Sequence, residues 1–292
     1  MIDFIKRLTS ISPRYGVDEM KGAKIITDEL TNLNIEFVEE KFESSVPRIT
    51  KAELFADNVL IPCIGCCFKG GDIKSIEQIH FNKNTDGISV MSFFDNPALT
   101  VSRLSIPTIK ASKNIAGKIE VNEEEFMTEN ILVGNIINPT SIIFAHFDSV
   151  VGPGAVDNAA AVGMLIETIK QDKSLVQKNL FVFAGNEEVS YDGDDYDGHG
   201  YRVFELTHED LLKSSSQLIV VDGIGVSSPN FTQDNMNLVF VLKDSPIYQS
   251  KYFWLQNDQS LIMQNYHSLS DTIDKINPKF LDEAKELLIK KI

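Results

Sequence analysis

The chain has 292 residues, 43% of them apolar, with a formal net charge of -15. Such content builds a sizeable core, and the length fits more than one domain or one α/β domain carrying an insertion. The acidic balance argues against a nucleic-acid partner, because phosphates demand Lys and Arg; it also disfavours an anionic membrane surface, and it suits a cationic group such as a substrate amine.

The first residues, MIDFIKRLTSIS, carry neither the apolar core nor the small-residue cleavage site of a signal peptide. Residues 3–8 and 17–33 read as helices broken near Ser12 and Pro13, and residues 35–42 alternate apolar and charged like a half-buried strand. From residue 46 the texture changes. Short β-like pieces (AELFA, NVLIPCIG, GISVMSFF, LTVSRLS, PTIKAS, GKIEV) are separated by Gly, Pro, Asn and Asp. They predict a small β-rich insert over residues 46–127, ending in an acidic turn at 123–128, within a main domain formed by 1–45 and 128–292. The insert holds all three cysteines, Cys63, Cys66 and Cys67. An odd cluster is poor material for a disulfide framework, so reduced thiols in a cytoplasmic protein are expected.

Residues 130–137 resume the α/β rhythm. A buried strand is expected at 142–145, a helix at 159–170, further buried strands at 179–185 and 217–221, and a partly helical stretch at 201–212 between them. An acidic, Gly-rich loop spans 191–199. Residues 237–242 and 260–264 read as β-like, and a helix begun after Pro278 closes the chain. No apolar run reaches membrane-span length. The fold class is therefore α/β: a mixed central sheet between helices, with the β-rich insert.

The apolar runs share a property. Each delivers a potential metal ligand near its C-terminal end, namely His146, Glu188, Asp222 and His267, and Asp157 follows in the turn after the first. In open α/β sheets, sites form outside the carboxyl ends of strands. Two imidazoles and three carboxylates, without a thiolate, suit zinc and its neighbours. One carboxylate can bridge two ions, leaving each ion one His and one further carboxylate. Each piece alone is ordinary: adjacent glutamates usually form a solvated face, and an Asp after a strand is often a cap. Their conjunction points to a dinuclear hydrolytic site.

The segments NILVGNI, IIFAHFDSVVGPGAVDNAA, FVFAGNEEVS, LIVVDGIG and NYHSLSDT resemble the M28 zinc metallopeptidases, over about residues 130–274. The resemblance implies a phosphorylase/hydrolase-like fold and two divalent ions, zinc first, with cobalt or manganese as alternatives. It implies that His146 and Asp222 serve one ion, Glu188 and His267 the other, and Asp157 bridges them. Asp148 would accept from the His146 ring and fix its tautomer, and Glu187 would be the general base. The implied function is removal of N-terminal residues from peptides; a glutaminyl-cyclase-like enzyme using one ion and a non-catalytic binding relative are the alternatives. Peptides are the expected partners, with no nucleic acid or membrane, and the oligomeric state is open, a homo-oligomer included. Three departures stand out. Ala159, Ala160 and Ala161 follow the bridging position where the family has Gly soon after. The span from Asp222 to His267 is short. No oxyanion-stabilising Tyr is evident, leaving Tyr248, Tyr252 and Tyr266 as candidates. Containing none of the five ligands, the insert is expected to shape access or assembly and not chemistry.

Other motifs carry less. The cysteine cluster lacks a second Cys/His pair for a zinc knuckle, the YDGDDYDGHG loop misses the calcium-loop spacing, and the glycines after Asp222 lack the third Gly and the helix of a dinucleotide fingerprint.

Overall fold

The computed structural model describes residues 1–192, 196–243 and 245–292. Among these, a nine-stranded mixed sheet forms the centre. Strand Ser141–His146 lies at its middle, parallel to Leu180–Ala184 on one side and to Gln217–Val221 on the other; Tyr252–Gln256 runs parallel beyond Gln217–Val221. Ser141–His146 is buried along its whole length because both its faces are covered. Ile143 and Ala145 pack among the helices Ile2–Thr9, Glu19–Asn32, Ala160–Gln171 and Pro278–Lys291. Ile142 and Phe144 face the opposite layer, with Tyr201 and Phe204 of helix His199–Ser214 and with Phe240. This explains why the run is continuously apolar instead of alternating. Burying a side chain such as Phe144 contributes about 1.5–3 kcal/mol. Helix Ala160–Gln171 comes close to the N-terminal helix: a Cβ on Gly163 would stand 2.5 Å from Ile5 Cγ1.

The largest departure from the sequence reading concerns the strands that flank the insert. Val38–Ala56 is one 19-residue strand and Ile115–Gly134 one of 20 residues, paired antiparallel over nearly their full length. The expected boundaries at 46 and 127 fall inside them, and the expected acidic turn at 123–128 is strand. Charged residues such as Lys51, Glu53, Lys118 and Glu120 line the outer ribbon, where a two-stranded ladder needs no apolar face; alternation weakens there and the strand signal fades. Residues 57–114 form the outer unit, with a small sheet of Cys63–Gly65, Leu99–Val101 and Ile79–His80. Its core, including Cys66, Cys67, Ile79 and Leu99, joins the ribbon through Val46 and Phe126. All three cysteines are free thiols, and burial pushes the Cys63 thiol up to about 11.

Three short assignments also change. PTIKAS lies largely in helix Ile106–Ala111. The β-like run 237–242 begins in the 3-10 turn Met236–Leu238, and 260–264 lies largely in helix Gln259–Ile262. In each case a short apolar run carries no periodicity long enough to separate strand from helix. Strand Tyr252–Gln256 was not anticipated at all. The acidic loop at 191–199 includes residues 193–195, which lie outside the described residues.

Candidate metal centre

The sheet's parallel strands end together. Ser141–His146 terminates on His146, whose side chain is 1% exposed. Asn186 follows Leu180–Ala184 with φ +48, which turns the chain so that Glu187 and Glu188 both line one cavity. The alternation of a strand, which would send these two side chains apart, does not reach them. Asp222 directly follows Gln217–Val221. Asp157 sits in the single turn Ala155–Ala159 that opens the helix. Gly154 precedes it at φ +55, where a Cβ would stand 2.5 Å from Asp157 O. His267 does not leave a strand; it follows Gln259–Ile262 and a turn, at φ +42.

These residues converge. His146, Asp157 and Asp222 offer ligand atoms within 4.8 Å of one another, and so do Asp157, Glu188 and His267. Asp157 belongs to both groups: its Oδ1 is 3.2 Å from His146 Nε2 and its Oδ2 is 3.5 Å from His267 Nε2. Asp222 Oδ2 is 3.8 Å from His146 Nε2, and Glu188 Oε2 is 2.5 Å from His267 Nε2. Glu187 Oε2 stands back at 4.0 Å from His146 Nε2. Asp148 lies beneath. Its Oδ1 is 3.3 Å from His146 Nδ1, and its Oδ2 accepts from the backbone N–H of Glu187 at 3.0 Å and of Glu188 at 2.9 Å. One buried carboxylate thus orients a ring on one strand end and two glutamates on the next.

The electrostatics call for cations. Burial pushes Glu187 well above the usual carboxylate range, against the pull of His146. Burial, with the neighbouring Asp157 charge, pushes Asp222 up to about 7. Burial presses down on His146 and His267, but carboxylates outweigh it. Glu187 leads in holding His146 well above its ordinary value, and Glu188 lifts His267 to about 9. Glu188 Oε1 is buried without a hydrogen-bond partner. Crowded carboxylates, a buried carboxylate oxygen without a partner and the nitrogen–oxygen chemistry of the set all fit divalent ions of the zinc type.

Sequence reasoning missed three buried charged residues that frame the centre. Arg14 is fully buried; its Nε donates to Phe147 O at 2.6 Å, its Nη2 to Gly154 O at 3.0 Å, and its Nη1 to Pro153 O. It thereby ties down the loop between His146 and Asp157. Asp271 accepts from the N–H of Val156 at 2.8 Å and of Asp157 at 3.1 Å. Glu19 accepts from the N–H of Asn186 at 2.9 Å and from Thr128. Asp271 lies in the NYHSLSDT motif and was within reach; nothing local marks Arg14 or Glu19. Of the candidate tyrosines, Tyr248 and Tyr252 are buried in the opposite layer, while Tyr266 stacks on His267 with ring centroids 3.7 Å apart and lines the cavity. The insert, expected to shape access or assembly and not chemistry, also reaches the centre, through Val90 beside His267.

Residues 132–237 match the model of peptidase family M28. The matched segment holds four of the five candidate ligands, His146, Asp157, Glu188 and Asp222. This match supports the activity class of a metal-dependent peptidase. Among solved structures, the chain is similar to BSAP, a zinc aminopeptidase from Bacillus subtilis, with 16% identity, TM-score 0.71, 98% of this chain and 92% of that one covered. It is similar to a peptidase M28 precursor from Shewanella amazonensis SB2B, with 16% identity, TM-score 0.69 and coverage of 98% and 90%. It also resembles an Acidobacteriales bacterium glutaminyl cyclase, with 13% identity, TM-score 0.56 and coverage of 99% and 91%. At such identities the likeness is one of fold. No curated protein matches the chain in sequence.

Proposed function

We propose that this chain is an aminopeptidase that holds two divalent ions, zinc first among them, and removes N-terminal residues from peptides. The observation that carries the reading is Asp157, whose two oxygens face two separate His-plus-carboxylate groups. His146 and Asp222 would hold one ion, Glu188 and His267 the other, and Asp157 both. A bound pair of this kind supplies Lewis-acid polarisation of the scissile carbonyl and makes water a nucleophile near neutral pH.

The chain's own residues supply the rest. Glu187, raised by burial and set back from the ligand atoms, takes a proton from the attacking water and delivers it to the leaving amine. Asp148 keeps Nδ1 of His146 protonated and presents Glu187 and Glu188 through their N–H groups. The cavity over the ligands, about 410 Å³, is walled by Met91, Leu238, Val239, Trp254, Ile262 and Met263. That size and lining suit one apolar side chain more than a long peptide. Asp197 also lines it, a carboxylate for a substrate's ammonium group. Tyr266, which lines the cavity and stacks on His267, is the candidate tyrosine that would meet a developing oxyanion.

The test is a panel of amino-acyl amides with free and acetylated amino groups, beside a glutaminyl peptide, run on the zinc-loaded chain and on Glu187→Gln. Hydrolysis of free-amine substrates alone is expected. Glu187→Gln should retain its ions while turnover falls roughly 10²–10⁴-fold, mostly in kcat. Cyclisation of the glutaminyl peptide without amide hydrolysis would favour the cyclase-like reading, and a fully active Glu187→Gln would overturn the base assignment.

A further inference from the structure

His146 and His267 are oriented by different parts of the molecule. The partner of His146 is Asp148, two residues along the same strand end. The partner of His267 comes from the outer unit. Val90 and His267 are bonded in both directions: Val90 N donates to His267 O at 3.1 Å, and His267 Nδ1 stands 3.2 Å from the Val90 carbonyl. A carbonyl only accepts. When the imidazole serves as a ligand, this contact fixes the proton on Nδ1 and leaves the Nε2 lone pair facing Asp157 and Glu188.

The same loop pins the backbone around His267. Asn82 Nδ2 donates to Met263 O at 2.9 Å and to Ser89 Oγ at 3.0 Å. Ser89 Oγ in turn donates to Tyr266 O at 2.6 Å, and Thr100 Oγ1 donates to Ser89 O at 2.8 Å. Asn82 and Ser89 are buried, so water does not compete for these bonds. The carbonyls of Met263, Tyr266 and His267 are therefore all held from the insert side. His267 has φ +42, an uncommon conformation for a residue with a side chain, which persists where the surroundings over-determine it.

We propose that loop 82–90 of the insert is a positioning element of the metal centre: it presets His267, so that the ion position of His267 and Glu188 depends on the insert for its affinity, whereas the position of His146 and Asp222 does not. The proposal rests on the two-ion reading above. The ligands of the second position are thereby divided between a strand end and a turn clamped by a separate part of the chain.

The test is competitive zinc titration of the full chain, stripped of metal, for the wild type and for Asn82→Ala/Ser89→Ala, neither residue being a proposed ligand. Two equivalents are expected for the wild type. The double variant should bind one equivalent as the wild type does and the other 10–100-fold more weakly, the usual effect of losing a ligand's orienting partner. Should the double variant not fold, Ser89→Ala is titrated alone, and a weakening confined to one position is expected. A folded variant that binds both ions as the wild type does, or that loses affinity equally at both positions, would overturn the proposal; the second outcome is what general destabilisation produces. A wild type that takes up fewer than two ions overturns the two-ion reading, and this inference with it.

Discussion

The two halves of the candidate centre are built from different material. The half around His146 and Asp222 hangs from adjacent parallel strands at the middle of the sheet, with Arg14 bracing the loop between His146 and Asp157. The half around Glu188 and His267 rests on a turn after Asn186 and on a positive-φ residue clamped by the insert. Asp157 and Asp148 join the halves, one from above through its two oxygens, the other from below through the His146 ring and the N–H groups of Glu187 and Glu188. The comparison teaches that a strand end places a ligand by way of the core, whereas a loop must borrow its rigidity from whatever packs against it.

The hardest break of this arrangement is Arg14→Met. It keeps much of the side-chain volume but removes the guanidinium donors from the carbonyls of Phe147, Pro153 and Gly154, of which Gly154 keeps the Ala159 N–H, and it takes a buried cation from a group of carboxylates. Loss of one partner of a buried charged cluster costs on the order of 3–5 kcal/mol. Chemical denaturation of the metal-free chain should show a fall of that size, where Ser89→Ala on the other side, which removes two hydrogen bonds, costs about 1–3 kcal/mol.

A milder change tests the join. Asp148→Ala removes the partner of the His146 ring and the common acceptor for Glu187 and Glu188. Zinc titration should show both positions weakened, each roughly 10–100-fold, in contrast to the one-sided loss expected from the insert variants.

A change of conditions, not of sequence, tests the electrostatics through a pH trend of the metal-free chain. Asp222 is raised from 3.8 to about 7, so the native state holds a proton that the unfolded chain gives up, and stability falls as pH climbs between those values. His267 is raised from 6.5 to about 9, so its contribution is complete below 6.5 and is lost as pH passes through about 9. Both act in the same direction. With chelator present, the melting temperature should decline from about pH 4 to pH 9. Saturating zinc should flatten or reverse the decline, because bound ions take the place of those protons. A metal-free melting temperature that rises across this range would contradict the assigned electrostatics.

The sheet-anchored half was also the legible one. His146 ends one buried apolar run and Asp222 directly follows another, whose β-branched content marks them as strands; the glutamate pair, whose Glu188 belongs to the other half, was legible because it follows such a run by two residues. His267 was found through the NYHSLSDT motif, while the local reading of its approach as a strand failed, since LIM and its neighbours are too short to show a period. The ribbon formed by Val38–Ala56 and Ile115–Gly134 was cut at the wrong places because its outer part is charged and solvent-facing. Arg14, Glu19 and Val90 could not be read in advance. Their roles arise only where segments distant in the chain meet, and Val90 acts through a carbonyl that every residue possesses.

The central claim is that one carboxylate, Asp157, serves both ion positions. Elemental analysis after mild dialysis, on the wild type and on folded Asp157→Asn, tests it most directly. The account predicts close to two equivalents of zinc, cobalt or manganese for the wild type and a loss extending to both for Asp157→Asn, because the shared group also offsets the mutual repulsion of the ions. An Asp157→Asn chain that keeps both ions would contradict it.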